Sequence, residues 1–337
     1  MNAAFSWRAF ALRRALRLAI LLPLVALCAF LLVSASPIDP VGALVGAEVM
    51  HVGVEQQAAI AHKWGLDQPP AERFLRWFGN ALQGDLGRSM IFDDEVIDVI
   101  GERLLASLAL MALAWTLSGL IGFGLGILAG ALEGSLWDRL IRGYAFVLAS
   151  APTFWIAILL LLFFAVQLGW APFCCAAPPG VLPDEATLLQ RLHHIALPAL
   201  TLSLLGVAQV TLYTRDKVRE VMASDYALLS FAQGESRLGV ARRHALRNAA
   251  LPALTLQFAS LSELFGGSIL AETVFTYPGL GAATVDAGTR GDAPLLLGIA
   301  LFAALFVFAG NTLGDVLARW LDPRHSRAAR NDMAADA

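Results

Sequence analysis

Charged side chains are scarce in this sequence. They make up 15% of its 337 residues, whereas an ordinary soluble domain carries about 25%. Hydrophobic residues make up 58%, so much of the molecular surface must face a medium other than water. The net charge of −3 gives no basis for binding nucleic acid.

Several kinds of chemistry lack the residues that they need. The two lysines, Lys63 and Lys217, do not stand in a Gly-Lys-Ser/Thr sequence, so the chain cannot hydrolyse ATP through a phosphate-binding P-loop. The HExxH zinc motif is absent, and the six histidines fall in loops or at the edges of apolar runs, where none is placed to activate a nucleophile within a membrane. We therefore expect no enzymatic activity and no cofactor.

Cysteine is also rare. Cys28 lies in an apolar run, and the other two cysteines, Cys174 and Cys175, are adjacent. This arrangement shows neither a disulfide framework nor a CxxC metal site. We expect inert cysteines, with a soft-metal contact of the adjacent pair as the alternative.

Long apolar runs are what the sequence has in abundance. Crossing a hydrocarbon layer of about 30 Å takes some 20 helical residues, and six runs are long enough. They are Ala15–Ser34, Leu104–Leu132, Gly143–Gly169, Ile195–Thr214, Ala250–Ala271 and Pro294–Leu317. The first run resembles a signal peptide, but the spans that follow favour a retained helix.

The basic residues are sorted by segment and predict the orientation. They are concentrated before the first run, after the second and fourth, and after the sixth, so both termini are expected on the cytoplasmic side. We predict an all-α polytopic membrane protein of about six transmembrane helices. Its parts are a cytoplasmic amino terminus (1–17), the first transmembrane helix (18–34), a small periplasmic helical lobe (35–103), a five-helix transmembrane core (104–320) with a cytoplasmic loop (215–250), and a cytoplasmic tail (321–337).

The periplasmic lobe shows helical spacing in two stretches. Val54–Trp64 and Ala71–Leu82 are separated by two prolines, and their apolar positions predict buried faces. The candidates for these faces are Ile60, Trp64, Phe74, Leu75 and Phe78. The lobe's acidic residues outnumber its basic ones, which indicates either a negative docking surface or a solvated outer face.

Three glycines recur at intervals of four in the second run. Gly122, Gly126 and Gly130 form two overlapping GxxxG patterns, which let another helix approach closely. Small residues scattered in an Ala/Gly-rich helix would give the same pattern. The sequence leaves both interpretations open.

Acidic residues are missing from the first four runs. A proton-coupled or sodium-coupled carrier commonly needs an intramembrane carboxylate, so their absence weakens that class. The exception in the fifth run is Glu263. It is predicted either to line the substrate pathway and meet a cationic group, or to be protonated or hydrogen-bonded as a structural contact.

The loop between the fourth and fifth runs predicts a helical hairpin. Ser224 or Asp225 can cap a short helix beginning near Tyr226, Gly234 can end it in a left-handed conformation, and a second helix can begin near Arg237. A helix–glycine–helix hairpin on the cytoplasmic surface can insert into a groove of a partner protein.

Short motifs in this loop resemble those of a known family. They are Asp225-Tyr226, Ala232-Gln233-Gly234, Arg243-His244-Ala245-Leu246-Arg247-Asn248-Ala249 and Leu251-Pro252. Together they are similar to the EAA loop of the dipeptide/oligopeptide/nickel branch of binding-protein-dependent ABC permeases. Further matches follow in family order at 38–41, 65–69, 84–89, 152–155, 197–201, 272–281 and 321–324.

The resemblance implies an assembly and a mechanism. The partners would be a second permease subunit, two cytoplasmic ATPase subunits, an extracytoplasmic solute-binding protein and membrane lipid, working by alternating access in a bacterial inner membrane. The expected ATPase-coupling residues are Asp225, Tyr226, Ala232, Gly234, Arg243, His244, Arg247 and Asn248. Short peptides are the expected cargo, nickel or a metal chelate is the alternative, and a self-sufficient secondary carrier is a weaker one.

The sequence departs from the family pattern in three places. Residues 229–234 read LSFAQG where the family usually has TARAKG, so two positive charges are missing before the coupling turn. Glu263 stands at an ordinarily small or apolar position, and the two adjacent cysteines lie outside the pattern. The missing charges put in question whether the ATPase partner is typical of the family. The unusual position of Glu263 makes it the best candidate for a substrate-specific feature.

Overall fold

The computed structural model of the protein describes residues 7–45, 53–181 and 185–321. The named elements in these ranges are helices, which confirms the all-α prediction. The α-helices are α1 (Trp7–Ser34), α2 (Pro40–Val45), α3 (Val54–Lys63), α4 (Pro70–Ala81), α5 (Val96–Ala131), α6 (Leu136–Ser150), α7 (Thr153–Leu160), α8 (Leu188–Met222), α9 (Asp225–Ala232), α10 (Arg237–Val240), α11 (Leu246–Ala259), α12 (Leu261–Val274), α13 (Leu280–Arg290) and α14 (Ala293–Leu321). Short π-helical segments follow α7 and α10, at Leu161–Gln167 and Ala241–Ala245.

The chain forms two compact units. The first combines Met1–Ser107 with Pro278–Phe308, and the second combines Leu108–Tyr277 with Ala309–Ala337. The predicted tail at 321–337 falls almost wholly outside the described residues.

Four described helices are long and apolar enough to cross a membrane: α1, α5, α8 and α14. Two bent pairs raise the number to six if each pair is one span. The first joins Leu136–Ser150 to Thr153–Gln167 at 107°, and the second joins Arg237–Ala259 to Leu261–Val274 at 54°. The third and fifth spans are therefore not the straight helices predicted.

The break in the third span has a local cause. Pro152 stands between α6 and α7, and Ala151 before it is extended, with φ −83° and ψ 135°. A residue that precedes proline is driven out of the helical region, so the helix ends there. Pro152 was visible in the sequence, but the prediction of one straight span did not take it into account.

The glycine pattern in α5 marks a close helix contact. A Cβ atom on Gly122, Gly126 or Gly130 would lie 2.8, 2.5 or 2.6 Å from a Cβ atom of α8, belonging to Val210, Thr214 and Val218 respectively. Close approach, rather than chance spacing, is thus the correct interpretation.

This contact also constrains how the chain connects the two helices. The partner in α8 advances by four residues for each four-residue step along α5, so the two helices run parallel. Parallel spans must be separated by an odd number of crossings, and only the α6–α7 pair lies between them. If α5 and α8 both cross the membrane, the 107° pair must return the chain across it once.

The first unit contains the two predicted lobe helices, α3 and α4. Aromatic contacts connect α4 to α1: the Phe30 and Phe74 rings are 5.1 Å apart, and the Phe74 and Phe78 rings are 5.7 Å apart. Leu75 is 68% exposed, so its predicted burial is wrong.

The adjacent cysteines are joined to each other. Cys174 and Cys175 form a disulfide in the segment before α8, a bond that the sequence analysis did not predict. Cys175 has φ 75°, its N–H donates to the Phe275 carbonyl at 3.1 Å, and His194 Nδ1 lies 3.1 Å from the Cys174 carbonyl oxygen. Because each sulfur is bonded to the other, neither is a thiolate available to a soft metal in this structure.

Candidate coupling hairpin and membrane cleft

The hairpin ends its first helix with a glycine, as predicted. Gly234 has φ 85°, and its N–H donates to the Phe231 carbonyl at 2.9 Å while Glu235 N–H donates to the Ser230 carbonyl at 3.1 Å. These two bonds form a Schellman motif, which satisfies carbonyls at the end of α9. Ser236 then caps α10, since its hydroxyl accepts from Gly239 N–H at 3.2 Å.

The eight predicted coupling residues lie along this hairpin and the helix that follows it. Seven of them are exposed, namely Asp225, Tyr226, Ala232, Gly234, Arg243, Arg247 and Asn248. The eighth, His244, is half-buried between the arms: its ring centroid is 5.5 Å from that of Tyr226, and its Nε2 is 3.4 Å from Ser230 Oγ. The histidine thus holds the two arms of the hairpin together.

Two members of the predicted set make only short-range contacts. Arg243 Nη1 lies 3.9 Å from Glu235 Oε2, and Asn248 donates to the His244 carbonyl one turn earlier at 2.9 Å. Both side chains therefore leave most of their surface exposed on the hairpin. The first arm also exposes apolar side chains, with Leu228 54% and Leu229 61% exposed.

The second arm of the hairpin packs on the membrane helices. Ala241, Ala245 and Ala249 are fully buried against α5 and α8, where they contact Ala131 and Val218. Alanines at intervals of four form one smooth helix face, which allows close packing. The hairpin is therefore attached to the ends of these two spans through this face.

A buried ion pair lies at the same end of the spans. Arg215 of α8 donates from Nε to Asp138 Oδ1 at 2.6 Å and from Nη2 to Oδ2 at 3.1 Å. The side chains are 8% and 1% exposed. Gly134 N–H also donates to Asp138 Oδ2 at 3.0 Å, and Arg142 Nε lies 3.5 Å from Oδ1, so the carboxylate is well satisfied.

Sequence reasoning missed this pair. It treated Arg215 and Arg142 only as markers of the cytoplasmic side, because a separation of 77 residues carries no spacing signal. The one indication of the pair in the sequence was the position of Asp138 next to an apolar run, since a carboxylate there requires partners.

An exposed ion pair and a hydrogen bond connect the loop 132–135, which precedes α6, to α8 and to the hairpin. Glu133 Oε1 lies 3.0 Å from Arg219 Nε, and the Glu133 carbonyl accepts from Arg237 Nη1 at 3.5 Å. The loop 132–135 thus contacts both the end of α8 and the first residue of α10.

Glu263 lies just past the break in the fifth span. The break is at Ser260, and Glu263 is in the first turn of α12. Its Oε2 accepts from Gln209 Nε2 of α8 at 2.9 Å. Its carboxylate is exposed, whereas the prediction placed it near the middle of one continuous helix.

Glu263 and Gln209 line a narrow cleft within the second unit. Its volume of about 20 Å³ is room for a single water molecule. Trp115, Ser118 and Thr153 are further polar or aromatic members of its lining, and none of the described side chains that line it is basic. Among the described lining residues the arrangement is one carboxylate with a neutral hydrogen-bond donor and no cation.

Comparison with known proteins matches this architecture to one family. Residues 122–327 match the model of the binding-protein-dependent transport system inner membrane component. The chain belongs to this family. The matched range includes the glycine contact, the buried ion pair, the hairpin and most of the residues that line the cleft.

Relatives extend the similarity to nearly the whole chain. An oligopeptide transport system permease protein of Bacillus subtilis is 32% identical over 317 residues, covering 94% of this chain and 98% of the relative. A di/tripeptide transport system permease protein of Pseudomonas aeruginosa is 32% identical over 326 residues, covering 91% and 96%. A putative peptide transport system permease protein of Brucella abortus is 35% identical over 301 residues, covering 89% and 93%. This family member is thus a multi-pass membrane permease component and not itself an enzyme.

Proposed function

We propose that the protein is one of two membrane-spanning subunits of an ATP-driven importer of short peptides. The observation that carries this proposal is the coupling hairpin, an exposed helix–glycine–helix element whose second arm is buried against two spans. Such an element can pass the movement of a docked ATPase to the membrane helices. The relatives named as oligopeptide and di/tripeptide permeases support short peptides as the cargo.

The proposed assembly has two cytoplasmic ATPases, a second permease subunit and an extracytoplasmic solute-binding protein. ATP binding would close the ATPases, displace the hairpin around Gly234 and open the pathway toward the binding protein, and hydrolysis would reset it. Coupling of this kind requires contacts that differ between two global states. Asp225, Tyr226, Ala232 and Gly234 would form the docking face, supported by Arg243, His244, Arg247 and Asn248.

Both chain termini are proposed to lie in the cytoplasm. The support is the sorting of arginines: the hairpin and its following arm carry Arg237, Arg242, Arg243 and Arg247, and the positive-inside rule places such segments in the cytoplasm.

Glu263 is proposed to line the substrate pathway. Its cleft offers a carboxylate with a neutral partner, which leaves the negative charge uncompensated by the described lining residues. An ammonium group of a passing peptide would supply the missing cation. The test compares Glu263→Gln with Glu263→Asp in maximal uptake rate, at binding-protein concentrations that saturate the importer.

Uptake by reconstituted complexes tests the function itself. Proteoliposomes would contain this chain with the second permease, the ATPases and the binding protein encoded next to it, and would be offered labelled dipeptides and nickel chelates in parallel. We expect ATP-dependent dipeptide uptake that Gly234→Val abolishes and Gly234→Asn largely retains. Uptake by this chain alone without ATP would refute the importer and indicate a self-sufficient carrier.

A further inference from the structure

The first unit contains a cleft that shares no lining residue with the cleft at Glu263. It has a volume of about 180 Å³ and lies among α1, α4, the turn after α3 and the start of α14. Its apolar walls are Phe30, Trp64, Trp77, Met90, Pro294 and Leu297, and its polar members include Gln68, Arg73, Arg76 and Asn80. Aromatic and apolar walls together with two guanidinium groups suit an amphiphilic ligand.

The position of the cleft relative to the spans is clear from its walls. Phe30 stands four residues before the end of α1, and Pro294 is the second residue of α14. Four helical residues correspond to about 6 Å, so both spans end at the level of the cleft. Tryptophans are enriched at this level of a membrane, and Trp64 and Trp77 lie there.

The cleft is positive although the lobe around it is acidic. Arg73 and Arg76 are three residues apart on α4 and therefore share a face. Neither has a carboxylate within ion-pair distance among the described residues. Arg73 is half-buried, and this desolvation lowers the pKa of its guanidinium group. A partly buried cation without a partner is costly, and an anion in the cleft would remove that cost.

One buried acceptor in the cleft also lacks a partner. Gln68 Oε1 is buried and receives no hydrogen bond from any described residue. Buried polar atoms are normally satisfied, so a hydrogen-bond donor is expected beside it. A ligand with an anionic group and a donor such as a hydroxyl group would satisfy both Arg73 and Gln68.

We propose that this cleft binds the headgroup of an anionic phospholipid of the phosphatidylglycerol type. The phosphate would lie against Arg73 and Arg76, and a glycerol hydroxyl would donate to Gln68 Oε1. The acyl chains would lie along the exposed apolar surface of α1, where Leu31 and Leu32 are 56% and 75% exposed. The site would fix the lobe to the membrane surface and is independent of the proposed cargo.

Native mass spectrometry of the full chain in detergent micelles tests this proposal. Phosphatidylglycerol and phosphatidylcholine with the same acyl chains would be titrated against the original chain, Arg73→Gln and Arg88→Gln. Arg88 is the matched control, since it lies on the same lobe and its loss changes the charge equally, but it is paired with Asp93 at 3.0 Å and lies outside the cleft. Size-exclusion chromatography and thermal unfolding would establish that each variant is folded.

We expect phosphatidylglycerol to bind more tightly than phosphatidylcholine. One basic residue near a membrane surface contributes about fivefold in affinity for an anionic lipid, so Arg73→Gln should weaken phosphatidylglycerol binding about fivefold or more and Arg88→Gln should leave it unchanged. Equal binding of the two lipids, or equal losses in the two variants, would overturn the proposal. Displacement of the lipid by millimolar inorganic phosphate would also overturn it, in favour of a free-anion site. So would an unchanged lipid affinity of Arg73→Gln together with weaker binding of the solute-binding protein, which would indicate a protein-docking site.

Discussion

The buried pair of Asp138 and Arg215 gives the sharpest energetic prediction. Removing one partner of a buried ion pair costs about 3–5 kcal/mol, because the other charge is left buried without compensation. In Arg215→Gln the Asp138 carboxylate would keep the Gly134 N–H at 3.0 Å and Arg142 at 3.5 Å. We therefore expect Arg215→Gln to lower the free energy of unfolding by about 3 kcal/mol, the lower end of this range.

The neighbouring pair of Glu133 and Arg219 provides the control. It has nearly the same separation, 3.0 Å, but its side chains are 47% and 54% exposed. Exposed pairs contribute about 0–1 kcal/mol, so Arg219→Gln should cost at most about 1 kcal/mol. The two variants remove the same charge four residues apart on α8.

Equilibrium unfolding of the full chain in mixed micelles, driven by an increasing fraction of SDS, would measure both losses. A double-mutant cycle with Asp138→Asn would isolate the pair itself, and we expect a coupling free energy of about 2 kcal/mol or more. Similar losses for Arg215→Gln and Arg219→Gln, or a coupling below about 0.5 kcal/mol, would contradict the reasoning.

Further predictions concern two glycines and Glu263. Gly126→Ala puts a Cβ 2.5 Å from that of Thr214, which forces α5 and α8 apart and should lower the free energy of unfolding by about 1–3 kcal/mol. The control is Gly124→Ala, whose Cβ meets nothing within 4 Å. It should be neutral or slightly stabilising in the same unfolding assay. Gly234→Val places a β-branched residue at φ 85° and should abolish ATP-dependent uptake at normal membrane levels, while Gly234→Asn, which tolerates that conformation, should transport. Glu263→Gln should lower the maximal uptake rate of dipeptides about tenfold, because a charge-assisted contact worth about 1.5 kcal/mol is lost. Glu263→Asp should restore part of that rate. Equal rates in both variants and the original chain would mean that Glu263 is only a structural contact.

The local elements could be predicted because their signals are short-range. Apolar runs identified the four long helices and the two bent pairs. Gly234 with its neighbours identified the hairpin, since helix ends depend on a few adjacent residues. The two lobe helices followed from spacing and a pair of prolines. Leu75 was misassigned because a helical pattern does not say how wide the buried face is.

The remaining features depend on contacts between distant residues. The sequence gives no indication that Asp138 meets Arg215, or that Gln209 meets Glu263, because the partners are 77 and 54 residues apart. The break at Ser260 was missed for a different reason: no proline or glycine stands at that position, so the run reads as uninterrupted. The disulfide between adjacent cysteines was missed because a framework was sought between separated ones.

The break at Ser260 connects the hairpin to the cleft. From Arg237 to Ala259 the chain is helical, with one π-helical turn at Ala241–Ala245, which is 23 residues and therefore about 35 Å. The hairpin's second arm and the first half of the fifth span are thus one continuous helical stretch, with Pro252 inside it, so the backbone connects the hairpin directly to the break. This helix ends at Ala259, four residues before Glu263, and a 54° bend separates it from α12. If the hairpin is displaced as proposed, we expect the movement to reach the cleft along this stretch and to break the contact between Glu263 and Gln209.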